Sequence, residues 1–308
     1  TGRLTKRELQ RKKGLSTLEG EIYRQLDGLI SDNWELIQSS VKDVSKNSAG
    51  YDIADVKRAD GSFDLTPLIV GSQGTLGIVS EATVSIVPNN TYRTLMVVGF
   101  KDIDDASGLI EDIVKLNPAA VEMVDKFLLQ FIHSHYPNQL KGLLDEPFPE
   151  ILLLIEFDDG NKATQKKKIK KLSKIIQRVT SDFEITDDYE DRDTLWKIRH
   201  SAAAVVAHSE GTKKALPIIE DGVVPQGELK PFVSNIYKLF DKYKLEAAVW
   251  GHAGNANLHM QPFLDLSKTG DRQKVFKIMD EYYGMVMQLG GSTAGEHNDG
   301  RLRAPYLP

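Results

Sequence analysis

The 308-residue chain contains no cysteine. This removes disulfides, thiol nucleophiles and Cys-ligated iron–sulfur clusters, so any redox chemistry has to come from a bound cofactor. Long apolar runs are missing as well. The most hydrophobic stretches, Ile151-Leu-Leu-Leu-Ile155 and Thr94-Leu-Met-Val-Val98, fall far short of the roughly 18 to 20 residues that span a bilayer, and no transmembrane segment is expected. The N-terminus, Thr1-Gly-Arg-Leu-Thr-Lys-Arg7, has neither an initiator methionine nor the apolar core of a signal peptide, and the chain reads as an excised fragment. An excess of positive charge is also lacking. The formal net charge of -5 argues against a nucleic-acid partner. The dense basic run Lys166-Lys-Lys-Ile-Lys-Lys171 sits beside an apolar stripe of Ile169, Leu172, Ile175 and Ile176, and reads as the solvated face of a helix.

What is present is a globular composition, 41% hydrophobic and 27% charged, with nothing of low complexity. The length allows one large domain or two smaller ones, and the pattern changes near residue 90. Ser16-Thr-Leu-Glu19 has the form of a capping box, and Ile22, Leu26, Leu29 and Ile30 follow at helical spacing. From Asn47 to about Pro88, short apolar runs such as Leu68-Ile-Val70 and Ala82-Thr-Val-Ser-Ile-Val87 predict strands and turns. Beyond that point the pattern predicts a strand over 93–100, helices over 103–116 and 120–133, a strand over 151–157 and a helix over 163–179. A helix through 202–207, a strand over 215–219 and a helix opened by Pro225 and running to Tyr243 come next. Two histidine-bearing strands and a helix over 272–289 complete an α+β sandwich with helices covering one sheet.

Ala247-Ala-Val-Trp-Gly-His252 and Asn257-Leu-His-Met-Gln-Pro-Phe263 flank the turn-prone pair Gly254 and Asn255. With those two residues as the turn, His252 faces Asn257 and Trp250 faces His259, so the two histidines are diagonal neighbours on one face. A diagonal separation of about 7 Å lets two imidazoles converge on an ion about 2.1 Å from each nitrogen, whereas a three-residue loop would spoil the convergence. A histidine pair alone is more often structural. Here Gly251, Gly254 and Ala256 leave the face open to a ligand. Downstream, the glycine-rich loop Gly290-Gly-Ser-Thr-Ala-Gly-Glu-His-Asn-Asp-Gly300 carries Glu296 and His297. Glu296 can complete a two-histidine, one-carboxylate metal set with His252 and His259, and His297 can act as a base.

These segments resemble a known family. Gly251-His-Ala-Gly-Asn-Ala-Asn-Leu-His259 resembles G-H-x-G-D-G-N-L-H, and Gly295-Glu-His-Asn-Asp-Gly300 resembles G-E-H-G-x-G. Both patterns belong to the FAD-linked oxidase C-terminal domain of the vanillyl-alcohol-oxidase-like flavoproteins. That group includes D-lactate dehydrogenases, D-2-hydroxyglutarate dehydrogenases and the glycolate oxidase flavin subunit. Leu68-Ile-Val-Gly-Ser-Gln-Gly-Thr-Leu-Gly-Ile78 resembles L-F-x-G-S-E-G-T-L-G-I, and Asn47-Ser-Ala-Gly-Tyr51 resembles N-x-x-G-Y. The resemblance therefore implies FAD contacts at Asn47, Gly50, Tyr51, Gly71, Ser72, Gly74, Thr75, Leu76, Gly77 and Ile78. Leu195-Trp-Lys-Ile-Arg199 is similar to L-W-x-x-R, whose arginine binds the substrate carboxylate, and Gln261 is a second expected substrate contact. Ile219-Glu-Asp-Gly-Val-Val-Pro225 is similar to E-D-x-x-V-P. Asn255 and Ala256 stand where the family has Asp-Gly, Gln73 where it has Glu, and Asn298 where it has Gly; the last is expected to demand a different φ and tighten its loop.

The resemblance implies a partial FAD-binding subdomain over residues 1–90, followed by an antiparallel-sheet substrate (cap) domain covered by helices over 91–308. No glycine-rich pyrophosphate segment precedes residue 47, so the N-terminal half of the FAD domain is read as absent and the C-terminus as truncated. The chain by itself is then expected to be colourless. The implied enzyme oxidises a D-2-hydroxyacid with FAD and a divalent metal (Zn, Mn or Fe), and His297 is its base. The long N-terminal helix with Gly20-Glu-Ile-Tyr-Arg24 is similar to large members fused to an iron–sulfur half. That makes an iron–sulfur domain or a quinone pathway the expected electron acceptor, in the cytoplasm or peripheral at the inner membrane. From the residues alone, a metal-dependent hydrolase and a non-catalytic fragment without flavin stand as alternatives.

Overall fold

The computed structural model describes residues 2–90, 92–140, 144, 146–207, 209 and 211–307. The chain forms two compact units, one from Thr1–Asp43, Asn47–Ser85 and Ala294–Pro308, the other from Val44–Lys46 and Ile86–Thr293. Among the described residues no helix is long and apolar enough to cross a membrane.

The first unit opens with helices α1 (Lys6–Lys13), α2 (Leu18–Asp32) and α3 (Trp34–Ser40), followed by a short α4 (Thr66–Ile69). Thr5 and Glu8 form a reciprocal capping box on α1. The cap of α2 is Thr17, whose hydroxyl accepts from Gly20 N–H, one residue later than the Ser16 box expected. Its buried face is Gly20, Tyr23, Asp27 and Ile30, whereas Ile22 and Leu29 are exposed. The expected apolar face is thus rotated. Asp27 turns inward because Lys13 and Lys57 hold its carboxylate, and Tyr23 packs on Phe63. With Leu9, Ile30, Ile37 and Val56 these rings make the unit's core.

The strand expectations in this region fail. Leu68 and Ile69 lie in α4, where Pro67 sits in the first turn and suits a helix start. Residues 82–87 form no strand, and Val84, Ile86 and Val87 are exposed. Alternation alone does not make a strand; it also needs an edge to pair with, and no described strand pairs with this segment.

The second unit runs β1 (Thr94–Phe100), α5 (Ile103–Val114), β2 (Ala120–Asp125), α6 (Lys126–His135), β3 (Ile151–Phe157), α7 (Lys162–Ile176) and β4 (Phe183–Thr186). It continues with α8 (Tyr189–Ala207), β5 (Lys214–Ala215), α9 (Leu229–Tyr243), β6 (Ala247–His252), β7 (Asn257–Leu264) and α10 (Thr269–Gln288). The strands form one antiparallel sheet in the order β4-β1-β3-β2-β6-β7-β5. The helix expected over 120–133 is therefore a strand up to Asp125 and a helix after it. Pairing of Ala120-Val-Glu-Met-Val-Asp125 with β3 and β6 decides its conformation. The strand expected over 215–219 shrinks to β5, and the helix expected from Pro225 starts as a 3-10 turn at Gln226–Glu228.

Every residue of β3 is buried, because helices cover both faces of the sheet. Leu152, Leu154, Val124, Ala248 and Trp250 pack beneath α6 and α8. On the other face α5 lies against β1 and β3 with α7 and α9 beside it. β2 is the middle strand of the seven.

Asp125 closes β2 and caps α6 by accepting from Leu128 N–H at 2.9 Å. Burial pushes its carboxyl up to about 7, against the hydrogen bonds from Leu128, Val249 and Tyr237, and nearby Glu150 adds to the rise. A carboxyl with a raised folded-state pKa contributes fully to stability below its unfolded value, and the contribution is lost as pH rises through the folded value. Asp125→Asn keeps the cap without the titration. Relative to the parent, the variant should gain about 1–3 kcal/mol between pH 4 and pH 8, measured by urea unfolding across that range. A difference that does not change with pH would show that Asp125 carries no such shift.

Candidate active site

β6 and β7 pair as Trp250↔His259, Gly251↔Leu258 and His252↔Asn257. Gly254 and Asn255 form the tip, closed by Ala256 N–H donating to Ala253 O at 3.0 Å. This is the register that a two-residue turn requires, and it puts His252 and His259 on the same face. Their rings stand nearly perpendicular with centroids 5.5 Å apart, and a ring nitrogen of one lies within 4.8 Å of a ring nitrogen of the other. Gly251 has φ +147°, and a Cβ there would meet Asn257 O at 2.8 Å and Leu258 Cα at 2.9 Å. Its missing side chain is what lets the strands approach beside the histidines. Gln261 lies on the same face two residues beyond His259 and is half-buried.

Each imidazole is backed by a carboxylate. Glu122, buried on β2, places Oε1 2.8 Å from His252 Nδ1. Glu220 places Oε2 3.3 Å from His259 Nδ1. The turn carrying Glu220 is tied to β7 by the buried amide of Asn257, which donates to Asp221 and to Gly222 O. A carboxylate at Nδ1 is the arrangement that fixes the tautomer and ring plane of metal-binding histidines, which bind the ion through Nε2. The donor set thus fits a divalent ion.

Arg199 reaches the same face from α8. Its Nε donates to Glu122 Oε2 at 2.7 Å, which leaves the Nη fork for another acceptor. One turn earlier, Trp196 Nε1 donates to Glu156 Oε2 at 2.9 Å. Both named residues of the Leu195-Trp-Lys-Ile-Arg199 segment therefore dock on buried glutamates of adjacent strands, which holds α8 across the sheet.

Sequence reasoning assigned no role to Glu122, Glu220, Glu156 or Trp196. The signal for Glu156 was available: a glutamate inside an otherwise apolar strand is a buried carboxylate that needs a partner.

The first unit assembles the other expected residues. Asn298 Nδ2 donates to Ser48 O at 2.8 Å and to Gly71 O at 3.1 Å, and Asp299 accepts from Gly50 N–H at 2.7 Å. The Tyr51 and Thr75 hydroxyls are 2.7 Å apart. The Asn47–Tyr51 loop, the Gly71–Thr75 loop and the loop of Glu296 and His297 are thereby laced together. The backbone at Gly50 and Gly74 has positive φ, and a Cβ at either would meet nothing within 4 Å; this uncovered backbone fits a flat cofactor. Leu76, Gly77 and Ile78 run on as exposed chain without regular structure. His297 Nε2 is 3.8 Å from Glu296 Oε1, and the His297 side chain is half-exposed. Asn298 has φ +57°, the conformation a glycine would take there. Asparagine tolerates this region, and its amide adds the two bridging bonds.

The profile of the family "FAD linked oxidases, C-terminal domain" matches residues 89–308. The chain belongs to that family. It is 29% identical over 304 residues to the glycolate oxidase subunit GlcD of Bacillus subtilis (strain 168), covering 95% of this chain and 62% of that protein. It is 29% identical over 306 residues to D-2-hydroxyglutarate dehydrogenase of Haemophilus influenzae, covering 95% of this chain and 30% of that one. D-lactate dehydrogenase of Archaeoglobus fulgidus is 25% identical over 285 residues, with 92% of this chain and 57% of that protein covered. The chain thus spans less than two thirds of the length of these relatives. Among solved structures, p-cresol methylhydroxylase with substrate bound aligns with a TM-score of 0.51 at 12% identity, over 72% of this chain and 48% of the other. The fold, an α+β arrangement with a helix-covered antiparallel sheet, is shared.

Asn298 supplies a test of how the loops are held. Asn298→Gly should lose about 1–2 kcal/mol with the two amide bonds, and Asn298→Ala about 1 kcal/mol more from its left-handed backbone. Urea unfolding of both variants measures this, and an alanine variant as stable as the glycine variant would contradict it.

Proposed function

We propose that this chain forms the substrate side of an FAD-dependent dehydrogenase that oxidises a D-2-hydroxyacid of the D-lactate, glycolate or D-2-hydroxyglutarate type to the 2-oxoacid. The observation that carries the reading is the pair His252 and His259, each backed by a carboxylate at Nδ1, with Arg199 on the same sheet face. The names of the relatives support the substrate class.

His252, His259 and Glu296 would hold the divalent metal, and the loops Asn47–Tyr51 and Gly71–Ile78 would contribute to holding FAD. When bound, FAD supplies the two-electron acceptor and the metal supplies positive charge for the hydroxyl oxygen. Arg199 pairs its Nη fork with the substrate carboxylate, which fixes the reacting carbon, and Gln261 lies on the same face for a further polar contact. His297 accepts the hydroxyl proton near neutral pH. The substrate thereby loses the hydroxyl proton and the C2 hydride together and leaves as the 2-oxoacid. An iron–sulfur domain or a quinone pathway is the proposed onward acceptor, in the cytoplasm or at the inner membrane periphery.

The test uses the flavin-loaded protein that carries this chain, offered D-lactate, glycolate and D-2-hydroxyglutarate with an artificial electron acceptor. One of these should bleach the flavin. His297→Gln should retain metal and flavin but slow flavin reduction by roughly 10²- to 10⁴-fold. Arg199→Ala should raise KM and lower kcat together. Flavin that is not reduced by any 2-hydroxyacid, in a protein that hydrolyses esters or amides in a metal-dependent way, would replace this reading with a hydrolase. A His297→Gln variant as fast as the parent from pH 6 to 9 would remove the base assignment.

A further inference from the structure

We propose that Glu122 is the positioning residue of the site. A single buried carboxylate sets the tautomer and ring plane of His252 with one oxygen and the guanidinium plane of Arg199 with the other. The proposal rests on the reading of His252 as a metal ligand and Arg199 as the substrate clamp.

Glu122 sits on the middle strand and is 7% exposed. Its cross-strand partner on β3 is Leu154, and Val124 follows on the same face; both are fully buried and apolar. Packing gives no reason for a carboxylate there, and an unpaired one would be costly. Its two oxygens are both used, Oε1 at 2.8 Å from His252 Nδ1 and Oε2 at 2.7 Å from Arg199 Nε. An ionised carboxylate only accepts, so the proton between Glu122 and His252 resides on Nδ1 and the lone pair on Nε2. The same logic fixes Arg199: with Nε engaged, the guanidinium lies in one plane and its Nη fork faces away from Glu122. Glu220 serves His259 at 3.3 Å. Through Glu122, metal ligand and substrate clamp keep a common geometry.

The 308-residue chain suffices for the test. Long-range ¹H–¹⁵N NMR without metal should show His252 in its Nδ1–H tautomer, and Glu122→Gln should shift it towards Nε2–H, because one amide oxygen cannot serve both donors. Mn²⁺ binding, read from the electron paramagnetic resonance of the free ion, should weaken roughly 10- to 100-fold in Glu122→Gln, as expected for loss of such a partner. Arg199→Ala leaves the carboxylate on His252, so its Mn²⁺ affinity should stay within about twofold of the parent or rise. If Glu122→Gln does not fold by circular dichroism, Glu122→Asp carries the test; its shorter side chain cannot span both partners, and its Mn²⁺ affinity should fall between the two. An Nε2–H tautomer in the parent, or variants at Glu122 that match it in tautomer and affinity, overturns the proposal. Equal weakening by Arg199→Ala and Glu122→Gln overturns it too, since a general loss of packing would act in that way. A parent with the Nδ1–H tautomer that takes up no Mn²⁺ overturns the metal reading and leaves the hold on His252 standing.

Discussion

A carboxylate buried on the middle strand of a sheet must be matched by donors, and here the match with Glu122 organises the surroundings. Removing either partner would leave charge in a poorly solvated place, at a cost of several kcal/mol. The demand explains why α8 lies across β2 and β3 as it does: Arg199 comes to Glu122 and Trp196 to Glu156, and the apolar residues Leu195, Ile198 and Ala202 fill the space between. It also gives His252, at the end of its strand, a buried hydrogen-bond partner.

The second carboxylate, Glu220, reaches its histidine by a different route. It sits on an irregular turn, so its position depends on Asn257, whose buried amide takes the carbonyls of Asp221 and Gly222 as acceptors. The two histidines are thus supported unequally, one from a rigid strand and the other from a turn pinned to the hairpin. Asn298 does comparable work in the first unit, where its amide and left-handed backbone replace a glycine and lace two glycine-bearing loops together.

The hairpin was readable from sequence because strict alternation and a two-residue turn leave one register, 252 against 257 and 250 against 259. Most helices after residue 90 were legible from their apolar spacing, but of α8 only the stretch 202–207 was read, and its start at Tyr189 was missed. Residues 120–125 were not, since a short apolar run bounded by a helix can be read as its first turns; placing it in a helix took Glu122 off the sheet and hid its partnership with His252. Residues 82–87 misled in the opposite sense, because alternation without a partner strand gives exposed chain. In α2 the apolar residues pointed to one face, but the lysines that neutralise Asp27 come from elsewhere in the chain, and they decide which face is buried.

X-ray absorption spectroscopy of the chain loaded with one equivalent of Zn²⁺ or Mn²⁺ would show whether the two backed histidines present their Nε2 atoms to one metal. The expected shell contains two imidazole nitrogens at about 2.0–2.2 Å together with oxygen ligands, and the imidazole signature is lost in His252→Ala. A shell made of oxygens alone, or an imidazole signal unchanged in His252→Ala and His259→Ala, would contradict it.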